Sequence, residues 1–202
     1  MKKLLTGLAA VVLWAVVPIA AAVPITYAAK LTGAAENPPN ASPGIGKAIV
    51  TYDPLAKELT VHVDFSGLLS GTTVAHIHCC VDAPGNVGVA TYPVTFPGFP
   101  VGVTEGTYDY VVDLTQQSSF TAAFITNFGG GTVAGAEAAL AAGLDAGRAY
   151  FNIHTTQFPP GEIRGFLQQV PEPASVALAG VGLLALFAVR TRPGRRPTRA
   201  LR

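Results

Sequence analysis

Two histidines separated by a single residue, His76 and His78, carry the clearest chemical signal in this chain. On a β-strand, residues two apart project from the same face, which places these imidazoles about 6 to 7 Å apart at their bases. The same parity holds downstream, where Asn152 and His154 share a face of another predicted strand. If the apolar residues between them point into a core, the three imidazoles meet across adjacent strands. Such a cluster suits zinc or copper.

A carboxylate and an arginine follow with the same parity, because Glu162 and Arg164 share a face opposite Ile163. Glu162 would supply a fourth ligand beside the three histidines, and this set is the metal hypothesis. The competing interpretation is a hydrogen-bonded network that includes Asn152 and Arg164, holds the strands together and needs no ion. Catalysis has less support, since nucleophile-elbow, zinc-protease, phosphate-loop and dinucleotide motifs are absent from the sequence. No catalytic residue is predicted, and the sequence favours a non-enzymatic role.

The only cysteines, Cys79 and Cys80, come directly after the second histidine. Three arrangements are open to them: a vicinal disulfide, intermolecular disulfides, or free thiols that join a metal site. We favour the vicinal disulfide, because two neighbouring thiols rarely stay reduced in an oxidising compartment.

Short segments of period-two alternation must position these side chains. Runs of β-branched and aromatic residues separated by glycine and proline predict strands. The predicted strands are Lys47–Tyr52, Glu58–Phe65, Thr73–His78, Thr107–Leu114, Ser119–Thr126, Arg148–His154 and Glu162–Gln168. The pattern predicts an all-β domain, an antiparallel β-sandwich or barrel with one short helix.

The helix is predicted over Thr132–Leu144, where alanines and a stripe of larger apolar residues follow a 3.6-residue period. His62 is predicted to lie at the surface, near Asp64. The loop from Tyr92 to Gly106 carries aromatic residues that either form a recognition surface or pin the loop onto the domain.

The N-terminus predicts export. Lys2 and Lys3 precede an apolar stretch, Leu4–Val17, and small residues ending at Ala22 offer a cleavage site. Residues 1–22 are therefore a predicted signal peptide, a substrate of signal peptidase, and residues 23–169 form the predicted domain. Between Val23 and Pro173 there are five basic and 12 acidic residues, a net charge of about −7, which disfavours a nucleic-acid partner.

The C-terminus combines three features in order: the motif Val170-Pro171-Glu172-Pro173, a charge-free apolar run over 174–189, and a tail over 190–202 with six arginines. The apolar run predicts a transmembrane helix in the inner membrane, and the arginines favour a cytoplasmic end. Residues 170–202 resemble the PEP-CTERM sorting signal. The resemblance implies recognition by an exosortase, a membrane-bound sorting enzyme, and delivery to the cell surface or the extracellular space.

The central domain resembles the CHRD domain in three segments, Leu31–Pro39, Val74–His78 and Ala149–Gly165. Cys79-Cys80 departs from the family pattern, in which a glycine commonly follows the second histidine. The resemblance implies a sandwich-like extracellular module without a defined reaction. Together the two resemblances imply an exported component of the envelope or matrix, with exopolysaccharide as the expected partner. A metal protein centred on the three histidines is the alternative.

Overall fold

A computed structural model describes residues 23–171 of the chain. The predicted signal peptide (1–22), the transmembrane helix (174–189) and the basic tail (190–202) lie outside the described residues. Between residues 23 and 171, no helix combines the length and the apolarity needed to cross a bilayer.

Seven strands form one antiparallel, strongly curled half-barrel sheet. The strands are β1 (Ile25–Thr32), β2 (Ile45–Asp53), β3 (Glu58–Ser66), β4 (Thr72–Cys79), β5 (Gly106–Asp113), β6 (Ala149–Thr155) and β7 (Ile163–Phe166). Their spatial order is β4-β6-β7-β1-β2-β3-β5, and the two-residue strand β8 (Gln168–Gln169) pairs with the start of β1. The predicted β-rich class is confirmed, but the strands belong to a single curled sheet and not to two packed sheets.

Alternation along each strand sets the inner face of the half-barrel. In β3, Leu59, Val61, Val63 and Phe65 are buried, and the residues between them point outward. Burying each of these side chains stabilises the fold by about 1.5–3 kcal/mol. The inner face of the sheet therefore forms one continuous hydrophobic core.

Two helices complete the core: α1 (Ala122–Asn127) and α2 (Val133–Asp145). The α2 helix confirms the predicted helix, and Thr132 caps it by accepting a hydrogen bond from the backbone N–H of Gly135. Its predicted stripe packs inward, with Ala136, Leu140 and Leu144 buried in the same core as the sheet.

The strand predicted over Ser119–Thr126 is wrong, because α1 occupies most of it. Phe124 and Phe128 stack at a spacing of four residues, which is a helical period and not the period of a strand. Phe120, before the helix, keeps an extended backbone and forms an isolated bridge with Thr91. Thr121 caps this helix through the N–H of Phe124. The domain thus has two short helices where one was predicted.

Candidate metal centre

The three histidines share the outer face of two neighbouring strands. In the antiparallel register of β4 and β6, His76 pairs with Asn152, His78 with Tyr150, and Val74 with His154. The alternate residues, among them Ile77, are fully buried in the core. The histidine side chains therefore leave the sheet on the side opposite the core, as the parity of the sequence predicts.

Loops cover this outer face. His76, His78 and His154 are 6%, 8% and 9% exposed, so the cluster is shielded from solvent although it lies outside the hydrophobic core. One potential ligand atom from each histidine lies within 4.8 Å of those of the other two. The ring centroids are 5.4–6.1 Å apart. We call these residues the three-histidine cluster.

The loop after β4 supplies part of the cover, and the free edge of the sheet explains its position. Because β4 is an edge strand, its outward N–H and C=O groups need partners. Ala90 and Phe96 donate backbone hydrogen bonds to the carbonyls of Ile77 and Ala75, and Thr91 Oγ accepts from the N–H of Ile77. This pairing holds residues 87–96 beside the histidines.

Each imidazole is oriented by a backbone carbonyl of a covering loop. His78 Nδ1 lies 2.8 Å from the carbonyl oxygen of Val87, and His154 Nδ1 lies 2.8 Å from that of Pro159. The Nε2 atom of His76 makes the equivalent contact with the carbonyl of Val94. A carbonyl only accepts hydrogen bonds, so these nitrogens carry the proton and the other ring nitrogens present lone pairs.

The second nitrogen of each ring has no partner. Among the described residues, His76 Nδ1, His78 Nε2 and His154 Nε2 are buried polar atoms without a hydrogen bond. Burial lowers the pKa of His76 and of His78 to about 4, and it also lowers the pKa of His154. All three imidazoles are therefore neutral at pH 7, which is the state that binds a metal ion.

Glu162, the predicted fourth ligand, lies outside this group. It is fully buried and accepts hydrogen bonds from Ser42 Oγ (2.6 Å), Thr155 Oγ1 (2.6 Å) and the N–H of Leu69 (2.7 Å). Glu162 precedes β7, so strand parity does not determine the direction of its side chain. Its carboxylate ties together the loop before β2 (Ser42), the loop after β3 (Leu69) and the end of β6 (Thr155).

Arg164 fastens two loops onto the outer face. It is 1% exposed, and its guanidinium donates to the carbonyls of Ala35 (2.6 Å) and Pro84 (2.7 Å) and to Asn86 Oδ1 (2.5 Å). The same group lies over the ring of Tyr150, 4.8 Å from its centroid. These bonds hold the loop after β1 and the loop around residue 85 against the sheet.

Sequence reasoning did not identify Glu36 as part of this site. Its carboxylate lies 3.7 Å from the Nε atom of Arg164, and burial raises its pKa to about 7 although the guanidinium favours the charged form. Glu36 Oε1 and Asn152 Oδ1 are buried without partners. Both lie close to Gly161, where an added Cβ would approach them to 2.6 and 2.7 Å. In the sequence, the only trace of this contact is the glycine at position 161, where the loop approaches Glu36 and Asn152 too closely for a side chain.

A cavity of about 360 Å³ lies between these loops and the sheet. Polar side chains from both sides line it, including Glu36, His78, Tyr150, Asn152 and Arg164. We call it the Arg164 cavity. Since His78 also belongs to the three-histidine cluster, the cavity and the cluster share a wall.

The two cysteines lie on the opposite side of the strand. Cys79 is fully buried in the core, and its sulfur is bonded to that of Cys80. Gly143 of α2 packs directly against both sulfurs, where no side chain would fit. The thiol option for the metal site therefore finds no support in this geometry.

The aromatic residues of the long loop point inward. Phe96 and Phe99 are buried, and Phe96 stacks on Phe151 with ring centroids 5.7 Å apart. They pin the loop onto the domain, which was one of the two predicted roles. His62, by contrast, lies at the surface as predicted, with 36% of its side chain exposed, and it bonds to Asp109 and Asp64.

Comparison with protein families gives two matches. The CHRD domain matches residues 27–167, and the PEP-CTERM protein-sorting motif matches residues 169–196. No curated protein and no solved structure matches the chain.

Proposed function

The chain belongs to the CHRD-domain family and carries a PEP-CTERM sorting motif, and we propose that it is a surface-sorted metal-binding protein. The motif implies processing by an exosortase and export to the cell surface. In this proposal one zinc or copper ion is held by His76, His78 and His154. Residues 1–22 act as the signal peptide, residues 23–169 as the metal-binding domain and residues 170–202 as the sorting segment.

The observation that carries the proposal is the set of three buried ring nitrogens without partners. Leaving one buried polar atom unpaired costs about 1–3 kcal/mol. A purely structural network would pair these atoms with donors from the protein, and the described residues supply none. A single cation satisfies all three lone pairs at once.

The surroundings of the cluster suit a transition metal. Neutral imidazole is a good ligand for zinc and copper, and histidine ligands in metal sites usually donate their other N–H to a carbonyl or a carboxylate. Here the carbonyls of Val87, Val94 and Pro159 fill that role. The loops thus hold the rings in position before any ion arrives.

We propose a non-enzymatic role in the envelope or extracellular matrix. An exopolysaccharide partner remains part of the proposal because of the sorting signal. The long loop does not provide an aromatic platform for it, since Phe96 and Phe99 are buried.

Elemental analysis tests the metal assignment. The full-length chain is expressed with its export signal in a Gram-negative host, purified from the envelope and analysed for zinc and copper. We expect one equivalent of zinc or copper in the wild type, and loss of the ion in His76→Ala and His154→Ala. His62→Ala is the matched control, because His62 lies at the surface on β3, which pairs with β2 and β5 and with neither strand of the cluster. A folded wild type that stays metal-free after incubation with either ion would refute the assignment.

A further inference from the structure

The three-histidine cluster provides three protein ligands, one fewer than zinc or copper(II) usually takes. No aspartate, glutamate or cysteine among the described residues joins the three histidines in this group. Glu162 is engaged by three donors elsewhere, and the cysteine sulfurs lie on the other face. A bound ion would therefore keep a coordination position that the histidines do not fill.

The Arg164 cavity adjoins the three-histidine cluster at His78. His78 lines the cavity, and Asn152 connects it to the cluster, because Asn152 pairs with His76 on one side and with Arg164 on the other. The volume of about 360 Å³ exceeds what a few waters require. The cavity thus gives a small molecule room next to His78, one of the three ligands of the proposed ion.

The charges of the site favour an anion. Three neutral imidazoles leave a divalent ion uncompensated, and burying such a charge costs several kcal/mol. The ionisable residues lining the cavity are Glu36, His78, Tyr150 and Arg164. Of these only Glu36 can carry a negative charge near neutral pH, and it lies beside the Arg164 guanidinium. A small anion on the ion would restore the balance.

We propose that the ion in the three-histidine cluster takes a small exogenous anion at a coordination position open to the Arg164 cavity. This inference rests on the proposed metal-binding function. It assigns the cavity a ligand class, a monovalent anion of a few atoms that coordinates the metal directly. The anion is exchangeable, and in this proposal it reaches the metal through the cavity, whose lining includes the exposed Asn37.

The test uses the full-length exported protein loaded with copper(II) and titrated with sodium azide. We expect a new azide-to-copper charge-transfer absorption and a changed electron paramagnetic resonance spectrum, both saturating with azide. Asn37→Trp places a bulky side chain at an exposed position of the cavity lining, and we expect it to weaken azide binding by about tenfold or more without loss of copper. Asn127→Trp, also exposed but outside the cavity, is the matched control.

Each outcome decides a separate point. Stoichiometric copper with a spectrum unchanged by azide would overturn the open position and leave the metal assignment intact. Unchanged azide affinity in Asn37→Trp would show that anions do not enter through the Arg164 cavity, which also overturns the inference. Absence of bound copper before azide is added would overturn the proposed function itself, and this inference with it.

Discussion

The two ends of the sheet treat their outer faces in opposite ways. We call β2, β3 and β5 the open half, and β4, β6 and β7 the closed half. In the open half, exposed residues alternate with buried ones along β3 and β5, and the outer face meets water. In the closed half every residue of β6 is buried, because loops cover its outer face while the core covers the inner one. One sheet thus has a solvated end and an end buried on both faces.

The pKa of a histidine depends on which half of the sheet carries it. His62, on the open half, lies 2.7 Å from Asp109 and 3.1 Å from Asp64, and its hydrogen bond to Asp109 raises its pKa. His76 and His78, on the closed half, have their pKa lowered by burial. Carboxylates at the surface therefore favour the charged form of one histidine, whereas burial under loops favours the neutral form of the others.

Of the substitutions that distinguish the two halves, removal of Arg164, which fastens the loops of the closed half, should lower the folding stability most. We expect Arg164→Met to destabilise the domain by about 3–5 kcal/mol, since it leaves Glu36 buried and unpaired and frees the loop carbonyls. Arg148→Met is the control, because its pair with Asp82 is exposed and worth about 0–1 kcal/mol. Urea denaturation measures both. Equal effects of the two variants would show that the closed half is not held by Arg164.

Acid should act on the closed half before it affects the open half. Because the folded pKa of His76 and of His78 is about 4 and the ordinary value is 6.5, the unfolded chain takes up protons first as the pH falls. The metal-free protein should lose about 2 kcal/mol per histidine between pH 7 and pH 5. Denaturation across this range tests it.

Protonation of Glu36 changes the stability in the opposite direction, so its contribution must be separated from that of the histidines. Its folded pKa of about 7 lies above the ordinary 4.5, so the folded state binds its proton first and gains stability as the pH falls. The fall in stability should therefore be steeper in Glu36→Gln than in the wild type. A flat profile in Glu36→Gln would contradict the burial of neutral histidines.

The helix α2 covers part of the inner face of the open half, as loops cover the outer face of the closed half. Tyr52 of β2 donates a buried hydrogen bond to Glu137 (2.7 Å), and Lys57 pairs with the same carboxylate. Glu137→Ala should cost about 1–2 kcal/mol, because it strands the Tyr52 hydroxyl. Lys57→Ala, which removes only the partly exposed ion pair, should cost less than about 1 kcal/mol. Thermal unfolding of both variants gives the comparison, and equal losses would contradict it.

The smallest effect should come from the open half's own histidine. His62→Ala removes only solvent-exposed contacts to Asp109 and Asp64, so the stability at pH 7 should change by less than about 0.5 kcal/mol. A larger loss in urea denaturation would mean that the outer face of the open half contributes more than its exposure suggests.

Period-two alternation predicted most of the sheet, and it worked best in the open half, where water and core lie on opposite faces. It missed β1, whose central residues Ala28 and Ala29 give little contrast, and it misread Phe124 and Ile125 as strand residues. For the site, parity placed His76, His78 and His154 correctly on the outer face. Parity did not predict the position of Glu162, which precedes β7. It also could not predict the loop carbonyls that orient the three imidazoles. Those belong to loop backbone, whose position no side-chain pattern encodes.

The pairing of β8 with β1 has a consequence for how the protein meets its surroundings. The N–H of Val170 bonds to the carbonyl of Thr26, so the sorting motif leaves the domain at the end of the sheet where β1 begins. Glu36, which lines the Arg164 cavity, lies beyond the other end of β1, a strand of eight residues that spans about 25 Å. If the sorted protein is held through its C-terminal segment, we expect the cavity to lie at the opposite end of β1 from the attachment, accessible to solutes of the medium.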